Sequence, residues 1–174
     1  MISALLWLPV MLAMEAPAPK DKTDTPHWLV GHWIGQGTLF KQPAKMILSV
    51  CPLSDDSGLE LEYKVLAESE DGTKTRFTGR ADYFPDGKGR WRGSWVGSNE
   101  VDHELTAFVS DKTFTATWHN ETVETGQTRY ELGITGQLKV TDFVLRDGAR
   151  FEPFAQANYE KTSDCESSAE DRVQ

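Results

Sequence analysis

Few side chains in this 174-residue chain are equipped for chemistry. There are four histidines, His27, His32, His103 and His119, and two cysteines, Cys51 and Cys165, whose spacing is far from any zinc-ligand pattern. His103 lies in Val101-Asp102-His103-Glu104-Leu105-Thr106-Ala107-Phe108-Val109, where apolar and polar residues alternate. Side chains on a strand repeat every second residue, so His103 shares the apolar face with Val101, Leu105, Ala107 and Val109. An imidazole on that face can anchor a ligand by hydrogen bonding or serve as a general base. It can equally be a hydrogen-bonded core residue, which is the commoner fate of an interior histidine. His32 alternates to the face opposite Trp33, and His119 ends a strand beside Asn120 and Glu121. The chain has no nucleophile elbow, phosphate-cradling glycine loop or helical paired-histidine metal motif. Asn120-Glu121-Thr122 is a glycosylation sequon that matters only in a host that glycosylates exported proteins.

The elements that must position His103 are strands. Two-residue alternation predicts about ten, over 32–40, 45–51, 58–68, 74–84, 89–97, 101–109, 112–119, 123–134, 137–146 and 149–160. Asp55-Asp56-Ser57-Gly58, Asp71-Gly72, Pro85-Asp86-Gly87, Gly136 and Asp147-Gly148 supply turns, because glycine and Asx residues tolerate a left-handed backbone. The alternation turns Leu59, Leu61, Tyr63 and Val65 inward, then Phe77, Ala81 and Tyr83, then Trp91 and Trp95. Phe114, Ala116 and Trp118 follow, then Thr128, Tyr130, Leu132 and Ile134, and last Phe151, Ala155, Ala157 and Tyr159. In 137–146 either Val140/Val144 or Phe143/Leu145 could face in. Arg76, Arg80, Arg90 and Arg92 alternate outward beside Asp82 as a solvated charged face.

One charged face and one apolar face, with no covering helix, leave a closed barrel or a two-sheet sandwich. The inner face mixes large rings with Gly35, Gly37, Gly79, Gly93, Ala81, Ala107 and Ala116. Small residues beside rings leave space, whereas a sandwich core would fill it with Leu, Ile and Val. The expected fold class is therefore all-β, an antiparallel up-and-down barrel of about ten strands.

The barrel opens with His27-Trp28-Leu29-Val30-Gly31-His32-Trp33-Ile34-Gly35-Gln36-Gly37-Thr38-Leu39-Phe40, an entry turn and a first strand. Gly35 and Gly37 share a face with Trp33, so the indole plugs a closed end and the glycines let the strand curl. Upstream, residues 1–18 carry an apolar run too short to span a bilayer, followed by Ala16-Pro17-Ala18, and are expected to be a signal peptide. Residues 19–26 read as a polar, proline-rich linker, 27–161 as the barrel domain and 162–174 as a disordered acidic tail. The protein is thus expected outside the cytoplasm, periplasmic or secreted, with no stable membrane anchor. A net charge of −9 argues against a nucleic-acid partner, since phosphate binding needs a basic footprint. Oligomeric state is left open.

With those residues read, the chain resembles the calycin-like barrels, most closely nitrobindin-like proteins and their uncharacterised exported bacterial relatives. The resemblance rests on Leu29-Val30-Gly31-His32-Trp33-Ile34-Gly35-Gln36-Gly37, on Phe77-Thr78-Gly79-Arg80-Ala81-Asp82-Tyr83, on Gly89-Arg90-Trp91-Arg92-Gly93-Ser94-Trp95, and on a last strand ending in Tyr159-Glu160-Lys161. It implies an up-and-down barrel with an internal site. Nitrobindins bind haem through a histidine near the last strand. Here Phe151-Glu152-Pro153-Phe154-Ala155-Gln156-Ala157-Asn158-Tyr159 has none, so no cofactor is expected, and haem only from the non-family position His103.

Together these readings point to a barrel that binds a small apolar or aromatic molecule. The expected ligand-binding set is Trp33, Tyr63, Phe77, Trp91, Trp95, His103, Trp118, Tyr130 and Tyr159. The alternatives are a calycin-fold lyase or isomerase using the interior histidine, and a structural barrel with a filled interior. A cavity of roughly 300 Å³ or more separates the first two from the third. Strand counting also predicts a Cys51–Cys165 disulfide. Cys51 ends strand two and Cys165 lies past strand ten, which puts both at one end of an up-and-down barrel. Closure sets strands two and ten on either side of strand one, roughly 9.6 Å apart. The chain beyond Lys161 can narrow that gap to the about 4.4–6.8 Å between Cα atoms that a disulfide needs.

Overall fold

The computed structural model describes residues 25–69 and 72–165. The expected signal segment, the linker as far as residue 24 and the tail from residue 166 lie outside the described residues. The described chain is all-β. Ten strands follow one another: β1 (Gly31–Leu39), β2 (Gln42–Pro52), β3 (Leu59–Glu68), β4 (Lys74–Gly87), β5 (Arg90–Gly97), β6 (Asp102–Ser110), β7 (Thr113–His119), β8 (Thr125–Leu132), β9 (Leu138–Arg146) and β10 (Arg150–Ser163). Each pairs antiparallel with its sequence neighbours, and β10 returns to pair with β1, so the sheet closes as an up-and-down barrel. All ten predicted strands exist, with ends shifted by at most three residues.

The inward faces follow the alternation. Leu59, Leu61, Val65, Ala67, Ala81, Tyr83, Trp91, Leu105, Ala107, Phe114 and Ala116 are all buried. Arg80 pairs with Glu60 and Asp82 on the outer surface, and Arg90 and Arg92 both reach Asp86. Exposed pairs of this kind contribute at most a small fraction of the stability.

Two inward assignments are corrected. Ile134 is fully exposed, because β8 ends at Leu132 and Gly133–Gly136 turns the chain. Phe151 is 41% exposed because β10 carries an irregularity between Pro153 and Ala155. One extra residue there shifts the alternation, so a two-residue count back from Ala155 assigns Phe151 the wrong face. The ambiguous strand resolves with Leu138, Val140, Asp142 and Val144 inward. Phe143 lies outside, where the Arg129 guanidinium stands 5.9 Å over its ring. β10 also continues to Ser163, two residues into the stretch assigned to the tail.

One end of the barrel is sealed. Residues 25–30 turn across it, with Leu29 donating to the Pro26 carbonyl and Val30 to that of His27. Leu29 and Pro26 are buried beneath Trp33, whose Nε1 donates to the Leu29 carbonyl at 2.9 Å. A buried indole N–H left unpaired would carry a desolvation cost, so this bond fixes where the entry segment lies. Cys51 and Cys165 are joined in a disulfide at the same end, with Cα atoms 5.7 Å apart. The bond ties β2 to the residues after β10 and spans the start of β1, which lies between them.

The sequence separation of 114 makes the cross-linked loop long. In the chain-entropy account, a loop of that size stabilises by about 4–5 kcal/mol relative to the open chain. Chemical unfolding of the oxidised and the reduced, alkylated protein is expected to differ by about that amount, with the barrel's circular dichroism unchanged before the transition. Equal midpoints would show that the loop closure contributes nothing.

Candidate functional site

The barrel interior has two layers. Near the sealed end it is solid: Trp33 and Trp91 are 2% exposed, and Tyr83, Phe114 and Trp91 meet edge to face with centroids 5.3–6.4 Å apart. Toward the other end the rings stand apart and enclose a cavity of about 320 Å³.

Seven of the nine predicted site residues line this cavity: Tyr63, Phe77, Trp95, His103, Trp118, Tyr130 and Tyr159. Trp33 and Trp91 do not; they belong to the solid layer beneath it. Alternation shows which face a residue takes but not its depth along the barrel axis, so it could not separate the two layers. Residues the sequence reading passed over complete the wall, among them Phe40, Leu48, Asn99, Glu124, Asp142 and Phe154. Phe154 sits at the β10 irregularity, which is how it joins the wall beside Ala155.

Glycines hold the wall rings back. The ring of Trp95 lies over Gly79, that of Trp118 over Gly126, and that of Tyr159 over Gly35, each so closely that a β-carbon would collide with it. The Gly35 seen from sequence as a place for the strand to curl is therefore also the bed of Tyr159. Gly37, next along β1, faces the backbone of Gln156 and Ala157, and its missing side chain lets β10 approach at the seam. Rings laid flat on a neighbouring strand cover apolar surface without filling the lumen.

The mouth carries a strained turn. β1 and β2 are joined through Phe40 and Lys41, with φ of 48° and 68°, both left-handed and neither glycine nor asparagine. Stacking of Phe40 on Phe154 at 5.2 Å offsets part of that strain and sets an aromatic lip at the opening. Phe40 and Lys41 are not ordinary turn residues, so their types do not signal a left-handed corner.

Two polar groups define the cavity's chemistry. His103 is held edge to face against Trp118, centroids 5.2 Å apart, and both its ring nitrogens are buried with no hydrogen-bond partner among the described residues. Burial lowers the imidazole below its ordinary pKa, partly opposed by Glu124 and Asp102, so the ring is neutral near physiological pH. Such a ring offers one donor and one acceptor to whatever enters.

The second group is Asp142 on β9. Its register partners Thr128 and Ala155 both face the cavity, as it does. Thr128 Oγ1 donates to Asp142 Oδ1 at 2.6 Å and accepts from Trp118 Nε1 at 3.3 Å, so a short relay orients the carboxylate. Burial pushes the Asp142 carboxyl up from 3.8 to about 6, and the Thr128 bond opposes part of that rise. Tyr63, Tyr83, Tyr130 and Tyr159 surround the same region; all are pushed above their ordinary range by burial, with Asp142 contributing.

Among the described residues one group has metal-ligand atoms close together, His32, Cys51 and Cys165, within 4.8 Å of one another. Its two sulfurs are bonded to each other and present no thiolate, so it serves as a covalent tie. No helix among the described residues is long and apolar enough to cross a membrane. No protein-family model matches the chain, and no curated protein matches it.

Two expectations follow from the layering and from Asp142. Trp33→Ala and Trp91→Ala, in the solid layer, should each cost about 3–5 kcal/mol in chemical unfolding. Trp95→Ala and Trp118→Ala remove rings that already border open space and should cost clearly less. Equal losses at all four positions would contradict the two-layer description. For Asp142, a folded-state pKa above the ordinary value means that the native protein holds the extra proton between about 4 and 6. Stability is therefore greatest below that window, falls as pH rises through it, and stays reduced above it. Thermal unfolding of Asp142→Asn against the parent should show the variant gaining relative stability over this window, with no further change at higher pH.

Proposed function

We propose that this protein is an exported binding barrel that takes a small apolar or aromatic molecule into its open end. The observation that carries this reading is the 320 Å³ cavity, walled by aromatic rings held against glycines and furnished with an imidazole, His103, that has no hydrogen-bond partner among the described residues. Pockets for small molecules are concave, mostly apolar and supplied with a few convergent polar groups, and roughly 300 Å³ is the lower end of their range. A barrel whose interior serves only as core would be filled at that level, as it is around Trp33 and Trp91.

His103 fits the role of polar anchor. Use as a general base would call for a second group to orient the ring, and His103 has no such partner among the described residues. Export is supported by the Cys51–Cys165 disulfide, because such bonds persist in oxidising compartments.

A haem role is disfavoured on this reading. The cavity face of β10 presents Phe154, Ala155 and Tyr159, without a nitrogen ligand, and the cavity is small for a four-pyrrole macrocycle.

Native mass spectrometry of protein purified from its own source should reveal a bound small molecule. Calorimetric titration with indole should show saturable binding, and Trp95→Ala should weaken it. A hemin titration should give no sharp one-to-one Soret change; a tight complex abolished by His103→Ala would reinstate haem. Failure of every small aromatic probe to bind would overturn the binding reading.

A further inference from the structure

The charge pattern inside the cavity narrows the ligand class. Among the described residues that line it, the two charged ones are Asp142 and Glu124, both acidic, and no lysine or arginine contributes to the wall. Asp142 forms no ion pair among the described residues; the hydrogen bond to its side chain is the one from Thr128. A buried carboxylate without a cation is costly, and the cost is recovered when a positive charge is brought to it. The remaining wall supplies π faces from Trp95, Phe77, Tyr63 and Trp118. Those faces attract a cation and pack an apolar body equally well.

We propose that the cavity selects a small organic cation, a protonated amine borne on an apolar or aromatic body, with Asp142 as its counter-ion. This rests on the binding reading above and deepens it. The ammonium reaches the Asp142 carboxylate, which Thr128 and Trp118 hold in one orientation, while the body lies among the rings nearer the mouth. Neutral His103 adds an acceptor for a second N–H without adding a competing positive charge. Glu124, at the start of the β8 side of the wall, draws cations toward the opening.

The dependence on pH is set by several groups. The other titratable side chains on the cavity wall are Tyr63 on β3, Tyr83 on β4, His103 on β6, Glu124 before β8, Tyr130 on β8 and Tyr159 on β10. The tyrosines stay protonated at neutral pH because burial raises them all. His103, lowered by burial, becomes a competing cation only when acid overcomes that burial. Asp142, raised to about 6, is ionised above that value and available to a cation.

The test uses a matched pair, 2-phenylethylamine and 2-phenylethanol, with full-length oxidised protein in a calorimeter. They share a body and differ in charge, and the amine stays protonated well above neutrality. At about pH 8 the amine should bind roughly tenfold or more tightly than the alcohol, as a charge-assisted bond requires. Toward about pH 5 the preference should collapse as Asp142 takes up its proton. Asp142→Asn should abolish the preference for the amine over the alcohol. The pH series on the unaltered protein gives the same answer if that variant does not fold. Alcohol binding with no preference for the amine would overturn the cation proposal and leave the binding barrel standing. A preference that survives in Asp142→Asn would remove Asp142 from the role. If neither compound binds, the binding reading itself fails, and the proposal with it.

Discussion

Everything in this molecule depends on the seam where β10 pairs with β1. Gln156 and Ala157 press against the bare α-carbon of Gly37 there, and Tyr159 lies over Gly35. A ten-strand meander has two edges, each with a row of unpaired backbone groups, until those edges meet. Once they do, every strand is interior, and the lumen becomes a defined volume. The Cys51–Cys165 bond reinforces this closure from outside by tying β2 to the end of β10 around the start of β1. The seam and the disulfide therefore act on the same constraint, one by backbone hydrogen bonding and one by covalent connection.

Closure alone would produce a barrel either solid or hollow. The difference lies in how the rings are stored. At the sealed end Trp33 is buried, and Trp91 and Phe114 pack edge to face. At the open end Trp95 and Trp118 fold back onto Gly79 and Gly126 of adjacent strands. Placing an indole over a glycine keeps the apolar contact of a packed ring while leaving the axis of the barrel free. Stability is thus concentrated in one half and accessible volume in the other, a division common where a rigid scaffold must carry a site.

The open half then retains polar groups that a solid core would exclude. A carboxylate at Asp142 and an imidazole at His103 face the same cavity, the first held by Thr128 and the second without a hydrogen-bond partner among the described residues. Each lowers the stability of the empty barrel relative to an apolar residue of similar shape. Their retention beside aromatic walls is the physical ground on which the binding reading and its cationic refinement both stand.

Much of this was legible in the residues themselves. A period of two over ten segments, with Asp-Gly and Pro-Asp-Gly corners, specifies strands and hairpins because side-chain direction and turn backbone are local properties. Strand counting placed Cys51 and Cys165 together for the same reason. The faces of Ile134 and Phe151 were misjudged where a turn and a bulge broke the period. Asp142 was hidden in a strand that could face either way, since hydropathy has no means of marking an inward carboxylate. Trp91 and Trp95 lie at opposite ends of β5, but which level of the lumen is filled and which is open depends on how rings from all ten strands meet across it. Trp95 over Gly79 and Trp118 over Gly126 join strands that are neighbours in sequence, whereas Tyr159 over Gly35 and the cavity itself exist only once β10 closes on β1.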